Sequence, residues 1–141
     1  MSVTNPAPGS STSSANQANG VLIQNRLTMK PGENADLDQA RIGNALGDAD
    51  LSLLGGGIGG DVWELTSLGG PLAPVSGQQV DKKACAAALA THNDSYEYLS
   101  QFQVSSGLCV QTQEDDVAFL RIVSLPGPGS PVFVYDYTVW R

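Results

Sequence analysis

The residues best spaced to bind something are four aspartates in two Asp-x-Asp pairs, Asp36/Asp38 and Asp48/Asp50. Alternating carboxylates on a strand or loop can converge on calcium, which takes roughly six to eight oxygen ligands. The pairs flank a glycine-containing segment, but no D-x-D-x-D-G run with a following Glu accompanies them, so they match no standard calcium loop. The ordinary use of such residues is in turns and caps. Asp36, Asp38, Asp48 and Asp50 are therefore candidates for calcium or another ligand, and no resident metal or cofactor is predicted. The acidic run Glu114-Asp115-Asp116 reads as a solvated hairpin tip.

Cys85 and Cys109 are the only cysteines. The count is even and no partner set for zinc accompanies them, which predicts a disulfide and an oxidising compartment. His92 is the sole histidine. Its expected place near a helix end, where a protonated imidazole complements the dipole, gives it a structural use. A catalytic base needs an oriented nucleophile, and no G-x-S-x-G, H-E-x-x-H or S-x-x-K run is present. The literal GxGxxG at Gly55, Gly57 and Gly60 is followed by Asp61-Val62-Trp63-Glu64-Leu65, a strand pattern with acidic groups that would repel a pyrophosphate. The dinucleotide motif requires a helix there, so the glycines read as a loop. Asn93-Asp94-Ser95 is a glycosylation sequon only in a secretory eukaryotic setting.

These groups must be held by short strands. Glycine (16) and proline (8) are frequent, which favours many turns over long helices. A short strand is predicted to open at Val21-Leu22-Ile23 and end before the Lys30-Pro31-Gly32-Glu33-Asn34 turn. Further strands are predicted at 35–38, 49–54, 62–68, 108–113, 117–125 and 132–140, with the 108–125 pair forming a hairpin around its acidic tip. One helix is expected over 80–92. Asp81 starts it, the alanine-rich run propagates it, and Asn93 ends it in the left-handed region. Cys85, Ala88 and Leu89 share one face of that helix and should dock it on a sheet. On the last strand Phe133, Tyr135, Tyr137 and Val139 alternate with Val132, Val134, Asp136, Thr138 and Trp140. An aromatic stripe is usually core, yet a sheet with one buried face cannot hide both sets. Trp140, and Trp63 with it, are therefore candidate partner-binding residues.

The fold class that follows is mainly β, an antiparallel sandwich or small barrel with one short helix and one disulfide. Residues 1–20 form a polar, low-complexity arm, and 21–141 a single domain. The arm is expected to be flexible or to order against a partner. With 7 basic against 14 acidic residues, the net charge of −7 opposes nucleic-acid binding, which needs clustered Lys and Arg. No apolar run approaches the length of a spanning helix, so membrane insertion is not expected. No secretory leader follows Met1. The chain is then either a piece of a secreted or membrane-anchored protein, or one that reaches the outside without the secretory pathway, as a virion component does.

From Asp36 onward the order of features resembles a small module of secreted or membrane-anchored actinobacterial proteins, including extracellular parts of some serine/threonine kinases. The residues that carry it are Asp36-Leu37-Asp38, Gly47-Asp48-Ala49-Asp50-Leu51, Leu72-Ala73-Pro74-Val75-Ser76-Gly77, Lys83-Ala84-Cys85, Gly107-Leu108-Cys109-Val110-Gln111-Thr112, Val117-Ala118-Phe119-Leu120-Arg121-Ile122 and Tyr137-Thr138-Val139-Trp140. The resemblance implies an extracytoplasmic β-rich domain with one disulfide and no enzymatic role, and it carries no catalytic residues. Glu114-Asp115-Asp116 departs from the Glu-Gly-Arg type of turn that the module has at this hairpin. The expected function is a non-catalytic structural or interaction protein on a cell envelope or virion, for example a capsid decoration protein assembling through its arm. The alternative is an extracellular domain binding a glycan, a small molecule or calcium; a hydrolase comes third.

Overall fold

The computed structural model describes residues 20–44, 46–55, 62–77, 79–127 and 129–141. The arm expected over residues 1–20 thus lies outside the described residues except for Gly20, as does the glycine cluster beyond Gly55.

Among the described residues ten strands form two antiparallel sheets. They are β1 (Val21–Met29), β2 (Asn34–Asp36), β3 (Arg41–Gly43), β4 (Leu51–Gly55), β5 (Trp63–Ser67), β6 (Leu72–Val75), β7 (Tyr96–Tyr98), β8 (Gly107–Gln111), β9 (Val117–Ser124) and β10 (Phe133–Trp140). The first sheet has the order β1-β10-β9-β8-β6 and the second β3-β2-β4-β5-β7. The chain crosses between sheets after β1 and after β5, and strand β7 returns to the second sheet before β8, β9 and β10 complete the first.

The alternation along β10 decides the packing. Phe133, Tyr135, Tyr137 and Val139 point inward and meet Leu27 and Met29 of β1, Leu120 and Ile122 of β9, and Leu51, Leu53 and Leu65 of the second sheet in one buried cluster. The Tyr135 hydroxyl donates to Met29 Sδ at 3.3 Å, and burial pushes its pKa well above the usual phenol range. On the opposite face of the first sheet Ala73, Cys109, Phe119 and Trp140 are covered, while the β1–β10 side stays open at Arg26 and Asp136. Helix α1 (Lys82–Ala90) lies across it and contributes Cys85 and Leu89 to a second buried cluster. The molecule therefore has three layers: helix, sheet, sheet.

Helix α1 begins as its sequence predicts, with the Asp81 carboxylate accepting from the Ala84 N–H at 2.8 Å. It ends two residues before the expected stop. Thr91 is the C-cap, with its backbone N–H on the Ala88 carbonyl, and Asn93 is not in the left-handed region. The Cys85–Cys109 disulfide joins the helix to β8, its Cα atoms 5.3 Å apart and 24 residues apart in sequence.

Three strands depart from the sequence reading. Strand β6 contains Pro74 but is an edge strand, paired on one side only, so the missing N–H removes no ladder bond that the fold needs. Strands β3 and β7 have three residues each, too short for alternation to declare them. Strand β1, by contrast, opens at Val21 and ends at Met29, before the Lys30 turn as expected, and β10 offers it a partner along its length.

Candidate functional site

Both Asp-x-Asp pairs lie near one end of the sandwich, but not as four equal ligands. Asp36 closes β2, and a short loop over residues 37–40 turns the chain back into β3, with Ala40 at φ 54°. Tyr137 donates its hydroxyl to the Leu37 carbonyl at 2.8 Å and anchors this loop on the core. The fully buried Asp50 holds the loop from the other side. One carboxylate oxygen accepts the Leu37 N–H at 2.8 Å, and the other accepts the Gln113 N–H at 2.8 Å. Asp50 thus ties the β2–β3 loop to the β8–β9 hairpin.

The hairpin tip is ordered by its own bonds. The Thr112 N–H donates to the Asp116 carbonyl at 2.9 Å, the Asp116 N–H donates to Thr112 Oγ1 at 3.0 Å, and Asp115 takes the left-handed conformation. Gly69, in the β5–β6 connection, passes so close that a Cβ there would overlap the backbone of Thr112 and Gln113.

These contacts bring Asp36, Asp38 and Glu114 together, with one carboxylate oxygen of each lying within 4.8 Å of the others. Asp38 as a whole residue is only partly buried, but both of its carboxylate oxygens are sealed from solvent and have no hydrogen-bond partner among the described residues. Glu114 and Asp116 lie within reach of Asp38, yet ionised carboxylates are all acceptors and none can donate to another. Burial first, then the Glu114 and Asp116 carboxyls and the charge of Asp50, push Asp38 up to about 8. Burial also pushes Asp50 up to about 6, against the two backbone N–H bonds that favour its charge.

Asp48 does not join this group. Arg41 takes it, with a guanidinium nitrogen 3.0 Å from its carboxylate and 2.9 Å from Asp36 Oδ2. Of the four aspartates singled out in the sequence, Asp36 and Asp38 meet, Asp50 supports them, and Asp48 pairs outward. The sequence reading missed Glu114 and Asp116 as their companions. Nothing local signals that meeting, because the two segments are brought together only by the fold.

The tryptophans need correction as partner-binding residues. Trp63 and Trp140 are each only 7% exposed. Trp63 packs in the core between the sheets, and Trp140 lies under α1 with Cys85 and Leu89. The premise of a single buried face failed because the helix covers the second one around Trp140. His92 sits at the end of α1, where its Nδ1 lies 3.1 Å from the Ala88 carbonyl.

The exposed large side chains lie elsewhere. Pairing places Leu54, Glu64 and Tyr98 in one cross-strand row of the second sheet, and Ser52, Thr66 and Tyr96 in the next. The alternate positions Leu51, Leu53, Leu65 and Trp63 face the core, so these two rows face outward. Leu54 is 49% exposed, Tyr96 46% and Tyr98 45%. The tyrosine rings meet edge to face, with centroids 5.6 Å apart.

No family model matches this chain, and neither a curated protein nor a solved structure shows significant similarity to it.

Proposed function

We propose that this chain is a non-catalytic interaction module of an external surface, a cell envelope or a virion, and that copies of it associate through the outer face of the second sheet. The observation that carries this reading is the unequal treatment of the two sheets. In the first sheet the outer face over β6, β8 and β9 is covered by a helix stapled to it by Cys85–Cys109, and the open β1–β10 side carries the charged Arg26–Asp136 pair. The second sheet presents Leu54, Tyr96 and Tyr98 to solvent. Exposed apolar and aromatic side chains gathered on one face of a sheet, here on either side of Glu64, suit an interaction surface, and tyrosine fits it because one end is apolar and the other wet. A buried disulfide fits an oxidising compartment. Among the described residues no helix is long and apolar enough to cross a membrane. The resemblance to the extracytoplasmic actinobacterial module agrees with this setting, and a decoration role with an N-terminal arm is its most specific form.

Sedimentation velocity over a range of concentrations tests the reading. The full chain should self-associate, Leu54→Ser/Tyr98→Ser should shift it toward monomer, and removal of residues 1–19 should weaken assembly further. A full chain that stays monomeric at every concentration contradicts the proposal.

A further inference from the structure

The acidic end of the sandwich supports an inference independent of association. We propose that Asp36, Asp38 and Glu114, with Asp116 beside them, bind a calcium ion between the β2–β3 loop and the β8–β9 hairpin.

Two observations carry it. The first is geometric. Oxygens of three carboxylates from two separate segments lie within 4.8 Å of one another. Calcium–oxygen distances are about 2.3–2.6 Å, so ligands on one ion stand up to roughly 5 Å apart. The three oxygens therefore fit around a single ion. The second is the Asp38 carboxylate, whose two oxygens are both shut off from solvent and both lack a hydrogen-bond partner among the described residues. Buried polar oxygens are almost always satisfied, and a sealed anion facing further carboxylates needs a cation or a proton. Donors lie nearby but are directed elsewhere. The Arg41 guanidinium serves Asp36 Oδ2 and Asp48, and the Leu37 and Gln113 N–H groups serve Asp50.

The donor set selects the ion. It is oxygen only, without thiolate or imidazole, which suits a hard cation and disfavours zinc or copper. The ligands come from a loop and a hairpin tip rather than a rigid cage, and calcium tolerates such irregular geometry better than magnesium does. Glu114 is exposed, giving the ion a route from solvent to the sealed Asp38 carboxylate. An ion there would cross-link the same two segments that Asp50 already joins.

The test is calorimetric titration of the full chain with calcium chloride after chelator treatment, with thermal melts in chelator and in calcium. Extracellular calcium modules bind with dissociation constants of about 10⁻⁴–10⁻³ M, and saturable binding near a 1:1 ratio in that range is expected for this site. At about a hundredfold excess over that constant the folding equilibrium should shift roughly a hundredfold, raising the melting temperature. Asp38→Asn should melt higher than wild type in chelator, because the cost of burying an ionisable carboxyl among other carboxyls is gone, yet lose the calcium-dependent rise. Glu114→Gln, at an exposed position, should keep the fold and weaken binding about tenfold or more. Absence of saturable heat overturns the proposal, as does calcium binding that both variants leave unchanged. The outcome in which Asp38→Asn stabilises the protein and wild type takes up no calcium means that the cluster holds a proton instead, and it also overturns the proposal.

Discussion

Replacing Asp50 with alanine should unhook the β2–β3 loop from the β8–β9 hairpin and destabilise the protein measurably. Asp50 is fully buried and its two oxygens accept the N–H groups of Leu37 and Gln113, each at 2.8 Å. Hydrogen bonds to a charged acceptor contribute about 1.5–3 kcal/mol each. The Leu37 N–H belongs to a fully buried residue and would be left orphaned, whereas Gln113 is exposed and its N–H can recover water. The first loss is then about 2–3 kcal/mol and the second about 1 kcal/mol. Relief from burying a charge close to Asp36 and Glu114 offsets part of this, leaving a net cost of about 2–4 kcal/mol. For a chain of this size each kcal/mol lowers Tm by roughly 3–4 °C, so a fall of about 6–15 °C is expected. Urea unfolding followed by fluorescence of the buried Trp63 and Trp140 reads the free energy directly. Asp50→Asn, which keeps one acceptor oxygen, should fall between wild type and Asp50→Ala. Hydrogen exchange should show the Leu37 amide losing protection first. An alanine variant within about 0.5 kcal/mol of wild type would refute the claim that this carboxylate joins the two segments.

Three further outcomes follow from the same structure. Cys85→Ala/Cys109→Ala opens a loop spanned by 24 residues of sequence separation and should cost about 3–3.5 kcal/mol in equilibrium unfolding, on the chain-entropy model; an unchanged urea midpoint would argue that the staple does not constrain the unfolded chain. Gly69→Ala should lower Tm by about as much as a severe core substitution, because its Cβ meets the backbone of Thr112 and Gln113, which cannot rotate away; wild-type stability in a thermal melt would show that the β5–β6 turn does not pack on the hairpin. In chelator, stability should fall as pH rises from about 4 to about 8, because Asp38 and Asp50 have pKa values pushed up to about 8 and about 6 and so keep protons that the unfolded chain has already lost. The contribution is fully present below the unfolded carboxyl range and is gone above about pH 8, and a slope that is flat or rising in urea titrations at several pH values would contradict it.

Much of this architecture was legible in the chain. The alternation of Phe133, Tyr135, Tyr137 and Val139 against Trp140 fixed the two faces of β10, and the spacing of Cys85 and Leu89 with the Asp81 cap fixed the helix and its buried side. The hairpin around Glu114-Asp115-Asp116 was readable for the same local reason. What could not be read was which distant segments meet. Asp38 and Glu114 come together because Asp50 and Tyr137 hold the intervening loop, and no period or spacing encodes such an encounter. The alternation in Tyr96-Glu97-Tyr98 was present but too brief to separate an edge strand from a loop, and with it went the outward face of the second sheet. Strand β6, with Pro74 inside it, carries no such alternation, and the proline is tolerated because the strand lies at an edge.

The central claim is that the bare face of the second sheet is where copies of this chain meet. Hydroxyl-radical footprinting of dilute and concentrated samples measures it residue by residue. Labelling of Leu54, Tyr96 and Tyr98, each nearly half exposed, should fall as concentration rises, while Val104, exposed to 56% outside the two rows, stays constant. Unchanged labelling of Leu54, Tyr96 and Tyr98, or protection at Val104 in their place, would contradict the claim.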